Sequence, residues 1–325
     1  MSDNNMNEQL SIIIDTANRL FGDSVDKGLL DAAERGEFAQ SLWASVVATG
    51  FHAVGSKDSG TGVVELFALL DVAGRHAAPL PLAETLLANA WVGLSEGVSS
   101  IGLWEGQRIT DVPWGRSSTR VIGIRPDSAE CVIVEQVEVI ERSANLAGEP
   151  RDVVRVPEGA SRHTIRLNHG NAWSQLALAR AVQTAGALST VLDIALQYAG
   201  EREQFGRSLS KFQAIQHSLA VQAAEVAAAR RAATGAVDAL DTPRAAAEIA
   251  AAKIRAGDAA TMVGEAAHQV LGAIGYTHEH RLHHFTRRAW AWRDEFGNEF
   301  DWQRSLGAMI AGVGADHVWS FVTGR

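Results

Sequence analysis

Two stretches of the chain gather side chains suited to holding a polar, phosphate-bearing ligand. The first is Tyr198-Ala-Gly-Glu-Arg-Glu-Gln-Phe-Gly206, followed by Leu209, Phe212, Gln213 and His217. Its Arg202 carries a planar guanidinium, which grips phosphate oxygens through paired, charge-assisted hydrogen bonds. The second is Gln269-Val-Leu-Gly272-Ala-Ile-Gly275-Tyr276-Thr277, then Glu279, Leu282 and Arg287. Glycine there lets backbone approach a ligand closely. Taken singly, each residue has a plainer reading. Arg202 would be solvated between Glu201 and Glu203, Phe205 would be core, and Gln213 would cap its helix, with Ser210 three residues before it as a capping-box partner.

Other residue clusters offer weaker chemistry. In His278-Glu-His-Arg-Leu-His-His284, His280 and His284 stand at i, i+4 with Glu279 nearby. The order is not His-Glu-x-x-His and no distant ligand cluster accompanies it, so the expectation is no metal site and exposed histidines at a helix start. Trp290, Trp292 and Trp302, near Phe296 and Phe300, form an aromatic patch that reads as a subunit contact, with core packing as the alternative. Arg287, Arg288 and Arg293 read as a solvated face, or as a contact to an anionic group or a partner. Cys131 reads as a small core residue.

The elements that carry these residues fall into three zones. Residues 1–91 read as helices, with Leu10, Ile13, Ile14, Ala17 and Leu20 at helical spacing and Pro79 and Pro81 as a stop. Residues 92–166 change period: TRVIGI, ECVIVEQVEVI and DVVRVP are rich in Val and Ile and broken by Gly, Pro, Asp and Ser, which predicts a small β domain. Residues 167–325 are alanine-rich and helical, and small faces let helices approach closely, so a four-helix bundle is the economical packing. The fold class is therefore mostly α with a small β domain.

Bulk composition narrows the function classes. Hydrophobic residues make up 46% and charged residues 21%, which excludes wholesale disorder. A net charge of -9 argues against a general nucleic-acid binder. A single cysteine, no basic leader and no apolar run long enough for a membrane span predict a cytoplasmic protein without disulfides or membrane insertion.

The two ordered segments resemble the acyl-CoA dehydrogenase family, whose members carry Y-x-x-x-R-x-Q-F-G, then a Phe-Gln or His-Gln pair, then the glycine-containing segment. The resemblance implies a helical N-terminal domain, a middle β domain and a C-terminal four-helix bundle. It also implies FAD, gripped by Arg202, packed by Phe205 and Phe212, bonded by Gln204 and Gln213, and lined by Gln269, Leu271 and Gly272. In the family this arginine reaches a flavin bound mainly by the neighbouring subunit. Ala273 replaces the usual second glycine.

The chain departs from the family where the chemistry sits. The family's carboxylate base falls on Phe296 at one of its two positions and near Leu176 at the other, and neither side chain accepts a proton. Glu295 or Glu299 would serve only after a shift in register. The T-E-P-x-x-G-S-D segment that holds the flavin ring is missing, and Trp104 and Trp114 stand in other contexts. The resemblance thus implies the smaller, non-catalytic subunit of a heteromeric α2β2 acyl-CoA dehydrogenase of steroid side-chain degradation. FAD would be shared with a larger catalytic partner, and an acyl-CoA substrate would be oxidised to the trans-2-enoyl-CoA. Two alternatives stand beside it: a self-sufficient homo-oligomeric enzyme using Glu295 or Glu299, and a flavin-free scaffold for a catalytic partner.

Overall fold

Five helices open the chain: α1 (Ser2–Ser24), α2 (Lys27–Glu34), α3 (Gln40–Ala48), α4 (Val63–Arg75) and α5 (Leu82–Val92). The computed structural model describes residues 2–93, 97–165, 167 and 170–323. Strands replace helices between Val92 and Ser99, and helix returns at Ala172; the boundary expected at residue 166 lies outside the described residues.

The middle region holds β1 (Ser99–Glu105), β2 (Arg108–Pro113), β3 (Arg120–Ile124), β4 (Glu130–Val134), β5 (Val139–Glu141), β6 (Arg151–Arg155) and β7 (Ser161–Thr164). They form one sheet in the order β5-β6-β2-β1-β3-β4-β7. β1 and β3 run parallel and the other neighbours antiparallel. Alternation puts Ile101, Ile122, Ile124 and Cys131 into the main helical core. Trp104, Ile109, Val112, Val121, Val132 and Val154 face a second, smaller core.

The C-terminal region begins with α6 (Ala172–Glu201), capped by Asn171, whose side chain accepts from the Ser174 amide at 2.8 Å. A short hairpin follows, β8 (Glu203–Gln204) with β9 (Arg207–Ser208). Then come α7 (Gln213–Asp238), α8 (Ala245–Leu271), α9 (Leu282–Asp294), α10 (Glu299–Val313) and α11 (Val318–Thr323). Helix α6 is the central pillar, packed by α4, α7, α8 and α9. Glycine sets its distance to α4. A Cβ on Gly74 would lie 2.2 Å from the Gln183 carbonyl oxygen, and one on Gly186 would lie 2.2 Å from that of Asp71. Among the described residues no helix is long and apolar enough to cross a membrane.

Candidate functional site

A cavity of about 370 Å³ opens between the sheet and the helical bundle, within the size range of small-ligand sites. Gly102 and Leu103 of β1, Ser143 and Asn145 form its sheet side; Trp173 of α6 and Phe296 form its bundle side. Phe296, one of the two positions expected for a base, sits in the turn between α9 and α10 with φ 59. Few non-glycine residues adopt this left-handed conformation, so the surroundings must hold it. They do: Trp302 donates from its indole nitrogen to the Phe296 carbonyl at 3.0 Å, and Trp173 packs edge-on to its ring at 5.3 Å. Asn298 then caps α10 reciprocally with Asp301. Leu176, at the other expected base position, is fully buried among core side chains.

The two fallback glutamates are engaged in ion pairs. Glu295 accepts from Arg151 at 2.6 Å, from Arg180 at 2.6 Å and from Asn145 at 3.2 Å, and only 16% of its side chain is exposed. Burial alone would push its pKa up; the guanidiniums of Arg151 and Arg180 outweigh that and bring it down to about 2. Such a carboxylate is a very weak proton acceptor at neutral pH. Glu299 pairs with Arg293 at 2.9 Å and lies against α8, where a Cβ on Gly257 would fall 2.4 Å from its oxygen.

Glu295 belongs to a chain of charges that runs through all three regions. Glu34 on α2 pairs with Arg288 on α9 at 3.0 Å, and Arg288 pairs with Glu149 at 2.9 Å. Glu149 approaches Arg151 on β6 at 3.6 Å, Arg151 holds Glu295, and Glu295 holds Arg180. Arg180 ends the chain on Glu84 of α5, with Gln183 as a further acceptor at 2.7 Å. Beside it, buried Lys253 donates at 2.7 Å to the carbonyls of Trp292 and Arg293, closing the end of α9. Burial pushes the Lys253 pKa down to about 7, against the pull of Glu295.

The residues expected to meet a flavin lie elsewhere, and most are exposed. Arg202 ends α6, and its guanidinium has no partner among the described residues, so it is not engaged by Glu201 or Glu203. Gln204 sits on the β8–β9 hairpin, whose turn places Phe205 at φ 51 and Gly206 at φ 77, the paired left-handed conformation of tight hairpins. Phe205 is 91% exposed, not core. Its ring packs edge-on to that of Phe212, with centroids 6.3 Å apart, while Arg207 stacks over Phe212 at 4.0 Å. Ser210 does not cap α7; that helix starts at Gln213 with Phe212 as an N-cap that makes no side-chain bond, and Ser210 bonds Ser208 instead.

At the second segment, Gln269 is exposed on the last turn of α8. Leu271 is 3% exposed and part of the core, so its backbone rather than its side chain is available to a ligand. Gly272 takes φ 63, ψ -140 with open space where a Cβ would be, a conformation that suits glycine alone. Helices α7 and α8 pack antiparallel through the short turn at 239–244, so Gln213 and Gln269 lie at the same end of the bundle. Arg202, Gln204, Gln213 and Gln269 therefore offer free guanidinium and amide donors, and Phe205 an exposed ring. Guanidinium and amide donors are the groups from which a phosphate-bearing ligand accepts hydrogen bonds.

Several expectations are corrected by the packing. Trp292 and Trp302 are core residues at 3% and 7% exposure, and of the aromatic patch only Phe300 is largely exposed. Arg288 is fully buried in the ion-pair chain, not solvated. His283 and His284 are buried as well. The sequence reading overlooked Arg180, Arg151 and Lys253. For Arg180 a signal was present: it interrupts an apolar helical run, Leu176-Ala-Leu-Ala-Arg-Ala-Val182, and a lone charge in such a run must find a buried partner, although the run does not say which.

Comparison with known proteins gives the same architecture. Residues 171–299 match the family model described as acyl-CoA dehydrogenase, C-terminal domain. A glutaryl-CoA dehydrogenase of Desulfococcus multivorans is 35% identical over 147 residues, covering 45% of this chain and 35% of the relative. The acyl-CoA dehydrogenase IpdE2 of Mycolicibacterium smegmatis is 29% identical over 241 residues, 71% of this chain and 74% of the relative. The chain thus spans about a third of the first relative and three quarters of the second. Among solved structures, the ChsE4–ChsE5 complex from Mycobacterium tuberculosis superposes with a TM-score of 0.83 at 18% identity, covering 94% of this chain and 98% of that one. The Tcur3481–Tcur3483 steroid ACAD gives 0.80 at 23% identity, covering 95% and 100%.

Proposed function

This chain belongs to the acyl-CoA dehydrogenase family, and on that premise we propose that it is the FAD-supporting subunit of a heteromeric enzyme whose partner supplies the base. The reaction is α,β-dehydrogenation of an acyl-CoA thioester, with a steroid side chain as the acyl group. FAD, when bound, supplies the hydride acceptor. Arg202, Gln204 and Gln213 of this chain would hold its pyrophosphate and linker, Phe205 and Phe212 would pack against it, and Gln269 with the backbone at Leu271 and Gly272 would line its adenosine end.

One observation carries this reading. The two positions where the family keeps a base fall on Phe296 and near buried Leu176, and Glu295, adjacent to Phe296, is held by Arg151 and Arg180 with its pKa drawn down to about 2. A general base must reach the proton it removes and must have a pKa near the working pH. Phe296 has no group that accepts a proton, and Glu295, although it lines the cavity, fails the second condition, while the exposed donors around Arg202 remain. The resemblance of the fold to the steroid ACAD and to the ChsE4–ChsE5 complex supports the choice of substrate class and of a second subunit.

The test is to purify the chain alone and co-expressed with a larger acyl-CoA dehydrogenase subunit that carries the family's glutamate, then assay dehydrogenation of steroid acyl-CoA. Activity only in the co-expressed complex supports the proposal. Robust turnover by the chain alone overturns it in favour of a self-sufficient enzyme.

A further inference from the structure

We propose that Asp31, His283 and His284 form a binding site for a divalent transition-metal ion of the zinc type, joining α2 to α9. One donor atom from each of the three lies within 4.8 Å of the others. The two imidazoles are tilted 41° to one another, with ring centroids 3.9 Å apart.

The hydrogen bonds around the rings orient them as ligands. His283 Nδ1 lies 2.7 Å from the His280 carbonyl, which only accepts, so Nδ1 carries the proton and Nε2 of the neutral ring keeps its lone pair. That Nε2 is buried and has no partner. His284 Nδ1 faces the Glu34 carboxylate at 2.7 Å, which fixes its proton in the same way. Its Nε2 then meets Asp31 Oδ1 at 3.3 Å, one lone pair against another. A carboxylate or carbonyl behind each ligating histidine is the usual outer shell of a zinc site.

One pair of donors already has the spacing of ligands on a single ion, with the third donor within 4.8 Å of both. Tetrahedral bonds of about 2.0–2.1 Å place neighbouring ligand atoms about 3.3 Å apart, which matches the 3.3 Å between His284 Nε2 and Asp31 Oδ1. Lys27 bonds the other Asp31 oxygen, Oδ2, at 2.6 Å and leaves Oδ1 free. The Asp31 side chain is 35% exposed, which gives an ion an entry path and a water the fourth position. Two nitrogens and one carboxylate oxygen favour zinc or its first-row neighbours over calcium or magnesium. The competing arrangement is an imidazolium at His284 bridging Asp31 and Glu34. It leaves the buried Nε2 of His283 without a partner, whereas the metal satisfies both rings.

The experiment uses the full chain in its purified assembly, stripped with EDTA, dialysed, and titrated with ZnCl2 by calorimetry and with CoCl2 by visible spectroscopy. We expect one Zn²⁺ per copy of this chain, four-coordinate Co²⁺ bands, and a higher unfolding temperature with zinc. Asp31→Asn, at a partly exposed position, and His283→Gln should each weaken uptake by at least about tenfold. No saturable uptake in the micromolar range overturns the proposal in favour of the imidazolium. Uptake unchanged in both variants overturns it in favour of surface histidines. The outcome is independent of whether the chain supports FAD.

Discussion

Arg180 and Glu295 stand 115 positions apart, and a 2.6 Å bond from Nε to Oε2 joins them. Through it the acid nearest the family's catalytic position serves as a structural link. Glu295→Gln should therefore leave turnover per flavin in the complex unchanged. The same substitution leaves two buried guanidiniums short of charge, a loss on the order of 3 kcal/mol. Denaturant unfolding and a steady-state assay on one preparation separate the two effects. A large fall in turnover at full flavin occupancy would restore Glu295 as a base.

The same carboxylate sets a pH dependence. Its pKa lies near 2 in the folded chain against an ordinary 4.5. A depressed carboxylate stabilises the fold above its unfolded pKa, and that stability drains as pH falls from about 4.5 towards 2. The wild-type chain should lose more stability across this window than Glu295→Gln, by up to about 3 kcal/mol. Thermal melts of both proteins down the acid range measure it, and parallel curves would refute the assignment.

Arg202 is the exposed cation whose loss should be felt by the cofactor rather than by the fold. Its guanidinium has no partner within the described chain, so Arg202→Ala should leave the melting temperature nearly unchanged. Flavin affinity of the assembled complex should fall about 10- to 100-fold, the loss of a charge-assisted contact. Arg202→Lys keeps the charge but not the fork, and should recover part of it. Flavin absorbance per mole of complex reads both. Unaltered occupancy in Arg202→Ala would favour a flavin-free scaffold.

Packing around α6 offers a purely structural prediction. Gly186→Ala would drive a methyl against the Asp71 carbonyl, 2.2 Å from its oxygen. Separating α4 from α6 to relieve this should cost about 1–3 kcal/mol or more. Calorimetric melting checks it, and a variant as stable as the wild type would show that the two helices are less tightly coupled than described.

Much of this was legible from residue order, and what was missed shares a cause. Periodicity located helices and strands because apolar spacing follows 3.6 or 2 residues whatever the tertiary partners. The ordered motifs around Arg202 and Gln269 were legible for the same reason: each lies within one short segment. Glu295 with Arg151 and Arg180, Arg288 with Glu34 and Glu149, and Asp31 with His283 and His284 were not. Each pairing joins distant parts of the chain, and no local pattern tells Arg288, fully buried, from partly exposed Arg287. Phe205 is the converse case: taken singly an aromatic reads as core, and only the left-handed turn that holds it out leaves it exposed.

The central claim is that this chain contributes one wall to a flavin site whose proton acceptor lies on another polypeptide. Counting FAD against polypeptides in the purified, active assembly tests it most directly. The account predicts one FAD for each pair made of one copy of this chain and one copy of a larger partner. One FAD per copy of this chain, in an active assembly containing no other polypeptide, would contradict it.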